Sequence, residues 1–201
     1  PFDLYQSYGF PLEIIEELYQ EKGLKLNKEE FAAAKANHQQ KSRTASKGMF
    51  KGGLAEQSET VIKFHPATHL LHAALRQVLG NHVQQKGSNI TSERLRFDFS
   101  HDKKLTDEQT KQVEDIINAR IEDNIKVERL EMKKADALAQ GALAFFPEKY
   151  PEVTSVYKIG DFSLELCGGP HVNSTGTIGR IKIIKETSAG SGIRRVYAKI
   201  S

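Results

Sequence analysis

The chain has 201 residues, 38% of them apolar and 27% charged, enough apolar surface to bury the core of one or two small domains. Its formal net charge is only +3, its longest apolar run falls far short of the ~18 residues of a membrane span, and the start PFDLYQSYGF lacks a basic-then-apolar signal layout. We therefore expect a cytoplasmic protein that does not contact a membrane.

Two helices are predicted in residues 1–48, as a helical hairpin. Pro11 at a first helical position and Gly23 just past the end frame the first helix. Asn27 and Glu30 have the spacing of a capping box and begin the second helix, which we expect to run to about residue 47.

The second predicted helix carries a concentration of positive charge. Residues 35–54 contain no acid and five bases, which are Lys35, Lys41, Arg43, Lys47 and Lys51. On a helix Arg43 and Lys47 lie one turn apart, with Lys41 beside them on a broad face that suits the phosphates of a nucleic acid. The alternative is a solvated helix end whose bases stabilise the C-terminal dipole.

Residues 49–62 are rich in glycine and predict a linker, and residues 63–201 predict an α+β domain with helices packed on an antiparallel sheet. A helix should begin at Pro66 and stop at Gly80. A strand follows in which Leu95, Phe97 and Phe99 alternate with charged residues. The remaining predicted elements are a helix capped by Thr106 and Gln109, and strands in KVERLEM, VTSVYKIG, GRIKIIKE and GIRRVYAKI.

Two short stretches carry candidate ligands. In HPATHLLHAAL, His65 and His69 are four residues apart, which places both imidazoles on one helix face. Taken alone, this pair is a weak motif, and packed, hydrogen-bonded histidines would explain it. In LCGGPHV, Cys167, the only cysteine, stands four residues before His171, with two glycines between them that let the backbone turn sharply.

Together the two stretches supply three imidazoles and one thiolate, a tetrahedral set that suits Zn²⁺ better than calcium or magnesium. The sequence therefore predicts a zinc site of His65, His69, Cys167 and His171. Cys167 as a nucleophile with a histidine base is the alternative. Three further histidines, His72, His82 and His101, show no such pairing and are interpreted as surface or core residues.

The stretches HPATHLLHAALRQVLGNHVQQKGSNITSERLRFDFSH, GDFSLELCGGPHV and GIRRVYA resemble the editing domain of alanyl-tRNA synthetases and the related AlaX trans-editing proteins. The segment LYQSYGFPLEIIEELYQEKGL and the basic helix after it resemble the part of the synthetase that precedes this domain, so the likeness favours the synthetase over AlaX. Two departures are Pro170, where the family has threonine, and the short linker, where the synthetase has a β-barrel.

The resemblance implies hydrolysis of Ser-tRNA(Ala) or Gly-tRNA(Ala) at the zinc site, with zinc activating water, orienting the amino acid, or both. Gln85, in HVQQK, matches the family's substrate-site glutamine, and Arg194, in GIRR, is a candidate for contact with substrate or phosphate. For both, a surface strand residue is the alternative. Asp98 either orients a ligand or forms an internal salt bridge, for example to Arg96.

The implied partners are the acceptor end of tRNA(Ala) carrying serine or glycine and, if the chain works as one part of a larger enzyme, the rest of an alanyl-tRNA synthetase. Two other functions are consistent with the residues. One is a tRNA-binding module whose zinc is purely structural, and the other is a general metallohydrolase, which the basic segments make less favourable.

Overall fold

The computed structural model of the protein describes residues 2, 12–34, 36–37, 59–145 and 147–201. The chain divides into two compact units, Pro1–Phe50 and Lys51–Ser201. Helices form the described part of the first unit, and the second contains helices and antiparallel sheets, so the predicted α+β class is confirmed. Among the described helices, none is both long enough and apolar enough to cross a bilayer.

The first unit begins with helix α1, Leu12–Glu21, which buries Ile15. The helix ends where the sequence indicated, because Gly23 adopts a φ of +67°, a left-handed conformation that glycine takes without steric cost.

Helix α2 follows, with residues 28–34 and 36–37 helical. The side-chain oxygen of Asn27 accepts hydrogen bonds from the backbone N–H groups of Glu29 and Glu30, both at 3.1 Å, so Asn27 is the predicted N-cap. The basic residues Lys41, Arg43 and Lys47 lie outside the described residues.

The second unit opens with helix α3, Glu59–Leu79, so the predicted start at Pro66 is wrong. Proline disfavours a helix interior by ~3 kcal/mol, because it removes a backbone donor and crowds the preceding turn. The turns before Pro66 bury Val61 and Phe64 completely, and this burial of apolar surface favours the longer helix. The predicted end is confirmed, since Gly80 follows the helix with a φ of +114°.

Two antiparallel sheets follow α3. The strands of the described chain are β1 Gln85–Ile90, β2 Leu95–Ser100, β3 Val127–Lys133, β4 Val153–Ile159, β5 Ser163–Leu166, β6 Ile181–Gly190 and β7 Ile193–Ile200. The larger sheet has the order β1-β2-β7-β6, and the smaller has the order β3-β4-β5.

The larger sheet has one buried face. Leu95, Phe97 and Phe99 of β2 are at most 1% exposed, as their alternation predicted. Residues directly opposite in an antiparallel pair point to the same side, so Val196 and Arg194 of β7, opposite Phe97 and Phe99, share this face. The intervening residues of β2 and β7 point to the other side.

Helix α4, Asp107–Glu122, packs against α3 and the start of β6. Its predicted capping box is present, since the backbone N–H of Thr106 donates to the Gln109 side chain at 2.9 Å and the Gln109 N–H donates to Thr106 Oγ1 at 3.1 Å. A short helix α5, Lys134–Ala139, lies against the smaller sheet. These elements bring α3 and the end of β5 together, which positions the site.

Candidate metal centre

Two of the four predicted ligands lie on one face of α3. His65 and His69 are separated by one helical turn, and their rings stack with centroids 5.6 Å apart. Both residues are buried. His65 lies inside the helix and not at its start, because α3 begins at Glu59.

The other two ligands lie in the segment that follows β5. The backbone N–H of Cys167 donates to the carbonyl of Ser155 in the neighbouring strand β4 at 3.1 Å. The ring of His171 stacks on Tyr157, with centroids 3.6 Å apart. These contacts hold the segment across the smaller sheet, so that Cys167 and His171 face α3.

Gly169 allows this segment to approach the helix. A Cβ atom added to Gly169 would lie 1.9 Å from Cε1 of His65, so no larger residue fits there unless the structure moves. A Cβ added to Gly168 would meet nothing within 4 Å. Neither glycine has a positive φ. The backbone bends at Gly169 without a left-handed conformation, and the absence of a side chain there provides space for the His65 imidazole.

The four donor atoms converge, all lying within 4.8 Å of one another. Nε2 of His65 is 3.2 Å from Sγ of Cys167, and Nε2 of His69 is 2.8 Å from Nε2 of His171. The structure therefore brings together the four residues that the sequence selected, and their donor atoms could hold a metal ion.

Backbone carbonyls fix two of the imidazoles from behind. Nδ1 of His65 lies 3.1 Å from the carbonyl oxygen of Pro170, and Nδ1 of His171 lies 2.9 Å from that of Gly169. A carbonyl oxygen only accepts, so Nδ1 carries the proton in both contacts and Nε2 presents a lone pair to the cluster. Metal-binding histidines are oriented by outer hydrogen bonds of this kind.

Glu165 fixes the third imidazole, and sequence analysis missed it. Its two carboxylate oxygens accept hydrogen bonds from Nδ1 of His69 at 2.5 Å and from Nδ1 of His72 at 2.9 Å. His72 is a buried core residue, as one of the two predicted alternatives had it, and its partner is Glu165. Glu165 lies on β5, two residues before Cys167, and its contact with α3 depends on the packing of that strand.

Burial and charge oppose each other at these groups. Burial alone would raise the pKa of Glu165, but the charge and hydrogen bond of His69 outweigh it and hold that pKa well below its usual range. Burial would likewise lower the pKa of His69, but Glu165 raises it to about 10. Burial favours the neutral Cys167 thiol, yet the adjacent imidazoles of His171, His65 and His69 outweigh it and hold the pKa of Cys167 well below its usual value.

Burial also lowers the pKa of His171, to about 4, so this imidazole is neutral near pH 7. The cluster therefore combines a thiolate, Cys167, with a buried carboxylate, Glu165, behind one ligand. The protonated His69 balances one of these charges in the metal-free chain, and a cation bound among the four donors would take the place of its Nε2 proton.

Gln85 and Arg194, the other predicted site residues, lie on the larger sheet. Both are opposite Phe99, Gln85 from β1 and Arg194 from β7, so all three form one row on the buried face. Gln85 donates to Ser88 Oγ at 3.1 Å, and Arg194 Nε donates to Glu186 Oε1 at 2.5 Å. Among the described residues, no hydrogen bond joins this row to the four candidate ligands.

Asp98 points to the opposite side of the same sheet. Its two oxygens accept a bidentate pair of hydrogen bonds from Arg195, from Nε at 2.6 Å and from Nη2 at 2.8 Å. Arg96 Nε is 3.7 Å from Asp98, close enough for ion pairing but too far for a hydrogen bond. The internal salt bridge expected for Asp98 is therefore present, and its main partner is Arg195.

His82 and His101 form a pair of their own. Nε2 of His82 lies 2.9 Å from Nδ1 of His101, and their rings stack with centroids 5.2 Å apart. Both lie at the surface, as predicted, and the pairing of β1 with β2 brings these residues, 19 positions apart, into contact.

Two family models match the chain. The model described as "Threonyl and Alanyl tRNA synthetase second additional domain" matches residues 154–197, which include Cys167, His171 and Arg194. The model described as "tRNA synthetases class II (A)" matches residues 1–129, which include His65, His69 and Gln85. The candidate ligands are thus divided between the two matched regions.

Curated relatives agree with these matches. The chain is 55% identical to an alanine–tRNA ligase of Treponema denticola and 53% identical to one of Borrelia hermsii, in both cases over 197 residues, which are 98% of the chain. It is 52% identical to an alanine–tRNA ligase of Acidithiobacillus ferridurans over 134 residues, which are 67% of the chain and 15% of that relative. The chain spans about a third, 33%, of the length of the first two relatives. The chain belongs to the alanyl-tRNA synthetase family of class II tRNA synthetases.

Proposed function

We propose that this chain is the editing part of an alanyl-tRNA synthetase or a compact relative of it, and that it hydrolyses the ester of serine or glycine on tRNA(Ala). The observation that carries the proposal is the buried convergence of His65, His69, Cys167 and His171 in a chain with two synthetase-family matches.

The donor set fits zinc. Three imidazole nitrogens and one thiolate sulfur are the ligands that Zn²⁺ prefers, usually in a tetrahedral arrangement. The Nδ1 contacts to Pro170, Gly169 and Glu165 supply the outer hydrogen bonds that such ligands need. When bound, zinc would supply Lewis acidity and a fixed positive charge for orienting the amino acid.

The chain's own residues would do the rest of the work. The half-buried amide of Gln85 can hydrogen-bond the serine hydroxyl or the attacking water. Arg194, held through its Nε by Glu186, can direct its remaining guanidinium nitrogens at the substrate or at a terminal phosphate. The thiolate of Cys167 is assigned to the metal site, because its sulfur lies among the three imidazoles.

Selection of serine or glycine over alanine explains the need for a separate site. A synthetic site shaped for one small side chain discriminates poorly against close analogues, and hydrolysis at a second site is the remedy.

We propose that the acceptor stem is held by Lys41, Arg43 and Lys47. Replacing all three by glutamine should weaken tRNA binding, reduce its salt dependence and leave the zinc content unchanged.

One observation favours a second function, a non-catalytic tRNA-binding module with a structural zinc. The cluster has four protein donors, the number of ligands in structural zinc sites, whereas catalytic sites usually keep one position open. On this alternative, loss of the metal would unfold the chain and its RNA binding would have no hydrolytic consequence.

Deacylation of seryl-, glycyl- and alanyl-tRNA(Ala) by the purified chain separates the two functions. We expect hydrolysis of the first two esters and sparing of the third. Gln85→Ala should reduce the rate about 100-fold, the size of effect seen when one transition-state hydrogen bond is lost, with metal content unchanged. Gln84→Ala, an exposed neighbour, is the matched control. Absence of hydrolysis by a folded, zinc-loaded chain would refute the deacylase and leave the binding module.

A further inference from the structure

The outward face of the larger sheet is strongly basic. Six residues on the outward side of β2, β6 and β7 or directly before β2 are called the basic face: Arg94, Arg96, Lys185, Arg195, Tyr197 and Lys199. Within the four strands of this sheet, all of them described, Asp98 is the only carboxylate that points outward.

The strand register places these side chains together. Arg96, Tyr197 and Lys185 are directly opposite one another on β2, β7 and β6, so they form one row across the face. With strands ~4.8 Å apart, this row is about 10 Å wide between its outer Cα atoms. Arg94 adds a further charge, since its guanidinium carbon lies 5.3 Å from the centre of the Tyr197 ring.

Two donors on this face lack acceptors. Nη1 of Arg94 and Nε of Arg96 are buried and have no hydrogen-bond partner among the described residues. A buried guanidinium nitrogen without an acceptor leaves its positive charge poorly compensated within the protein, and an anion bound at the exposed part of the face would compensate the charge of both arginines. Asp98 cannot do so, because Arg195 occupies both of its oxygens.

Mutual repulsion among the arginines supports the same conclusion. Burial lowers the pKa of Arg96, and the charges of Arg195 and Arg94 lower it further, while Asp98 acts against them. The Arg96 side chain is nevertheless 29% exposed and that of Arg195 28% exposed, so an external ligand can reach them. An anionic ligand would relieve this repulsion.

We infer that the basic face binds the phosphate backbone of an RNA helix. Several cations spread across a pleated surface suit a polyanion with regularly spaced charges better than a single small anion. RNA helices are recognised largely through their phosphates and 2′-hydroxyls, which need no deep pocket. The inference rests on the proposed function for its choice of RNA, and it assigns RNA contacts to the sheet in addition to those proposed for Lys41, Arg43 and Lys47.

The test measures binding of an acceptor-stem RNA that carries no amino acid to the full zinc-loaded chain at several salt concentrations. Arg94→Gln, Arg96→Gln and Lys199→Gln combined should weaken binding at least about tenfold and reduce the slope of log K against log salt by about 3, one for each phosphate contact. The matched control removes three lysines from other elements, as Lys111→Gln, Lys126→Gln and Lys158→Gln, and should leave affinity within about twofold.

A second variant covers a folding defect in the first. Arg94→Lys with Arg96→Lys keeps the charge but removes the guanidinium forks, so it should lose affinity less than the glutamine variant while keeping the native thermal midpoint. Unchanged RNA affinity in both variants would overturn the inference. The inference would also fail if the glutamine variant lost as much affinity for heparin as for RNA, because that result indicates a surface for polyanions in general. It would fail as well if this variant lost binding to anionic lipid vesicles but kept its RNA affinity.

The outcome is separable from that of the proposed function, because RNA without an attached amino acid has no aminoacyl ester to hydrolyse. RNA binding through the basic face without deacylation would refute the deacylase alone. Normal deacylation with an unchanged KM in the variant that combines Arg94→Gln, Arg96→Gln and Lys199→Gln would refute RNA binding by the basic face and leave the deacylase intact.

Discussion

Two histidine pairs in this chain have nearly the same geometry and different surroundings. Nε2 of His69 lies 2.8 Å from Nε2 of His171, with ring centroids 4.9 Å apart, and His69 is buried while His171 is half-buried. Nε2 of His82 lies 2.9 Å from Nδ1 of His101, with centroids 5.2 Å apart, at the protein surface. Distance between two imidazoles therefore does not distinguish a metal centre from a surface contact.

What distinguishes the pairs is what stands behind and beside them. The inner pair has a thiol and a third imidazole within reach, and an acceptor on each outer Nδ1, from Glu165 and from the carbonyl of Gly169. In the surface pair, Nδ1 of His101 is itself turned toward His82, so no outer acceptor fixes the tautomer that a metal would need. Metal binding depends on convergence and on outer anchors.

The largest expected effect comes from Gly169→Ala. The new Cβ would overlap His65, whose ring is held on both sides by Pro170 and Cys167, so it cannot simply rotate away. We expect about 1–3 kcal/mol of lost stability from overpacking, plus loss of the bound metal. Elemental analysis and thermal unfolding check this.

Gly168→Ala is the matched control, because its Cβ would meet nothing within 4 Å. It should keep about one zinc per chain and a native unfolding temperature. Equal effects of the two alanine substitutions would show that the close approach of Gly169 to His65 does not decide metal binding.

Removal of the metal should have the next largest effect. An ion that binds only the folded chain stabilises it by about 4 kcal/mol when its free concentration is a thousand times its dissociation constant. A strong chelator should therefore lower the free energy of unfolding of the native chain by that order. His69→Ala should abolish the response to the chelator.

The surface pair supplies the comparison for this measurement. His82→Gln combined with His101→Gln should respond to the chelator as the native chain does, because neither residue lies among the convergent donors. A reduced metal content in this double variant would mean that the surface pair takes part in binding.

Glu165→Gln tests the outer anchors with a smaller expected effect. The amide cannot accept from His69 and His72 with both of its polar atoms, and it carries no negative charge. Loss of an outer anchor typically lowers metal affinity 10–100-fold. Competition with a chromophoric chelator measures the change, with the exposed Glu131→Gln as control. Unchanged affinity would show that Glu165 is not needed to orient His69.

The sequence predicted the ligands better than their support. Each ligand pair is local, so the spacing of His65 with His69 and of Cys167 with His171 is visible in the chain. The role of Glu165 depends on how β5 packs against α3, which spacing along the chain does not contain. Pro66 misled for the same reason, since burial of the turn before it outweighs its local preference.

The pairing of His82 with His101 could not be predicted either, because it depends on the register of β1 with β2. The outward and inward faces of β2 were predictable from its alternation. That its outward arginines meet Tyr197 and a single carboxylate depends on the neighbouring strand, which only the folded sheet supplies.

The smallest expected effect is a pH dependence of stability confined to the surface pair. Burial and the neighbouring His82, with Arg194, lower the pKa of His101, while Asp102 and Glu186 act in the opposite direction. A histidine whose pKa is lower in the folded state binds protons better when unfolded, so its stabilising contribution is present above about pH 6.5 and is lost as the pH falls through the folded pKa. The contribution should stay well under about 1 kcal/mol, because solvent screens these partly exposed rings.

Denaturant unfolding of the native chain and of His101→Gln between pH 7.5 and pH 5, as an approximate working range, should show a shallower loss of stability in the variant. A steeper loss of stability in the variant would mean that protonated His101 stabilises the folded state. The surface pair would then be governed by attraction to Asp102 and Glu186, and the lack of an outer hydrogen-bond acceptor would not be what separates it from the inner pair.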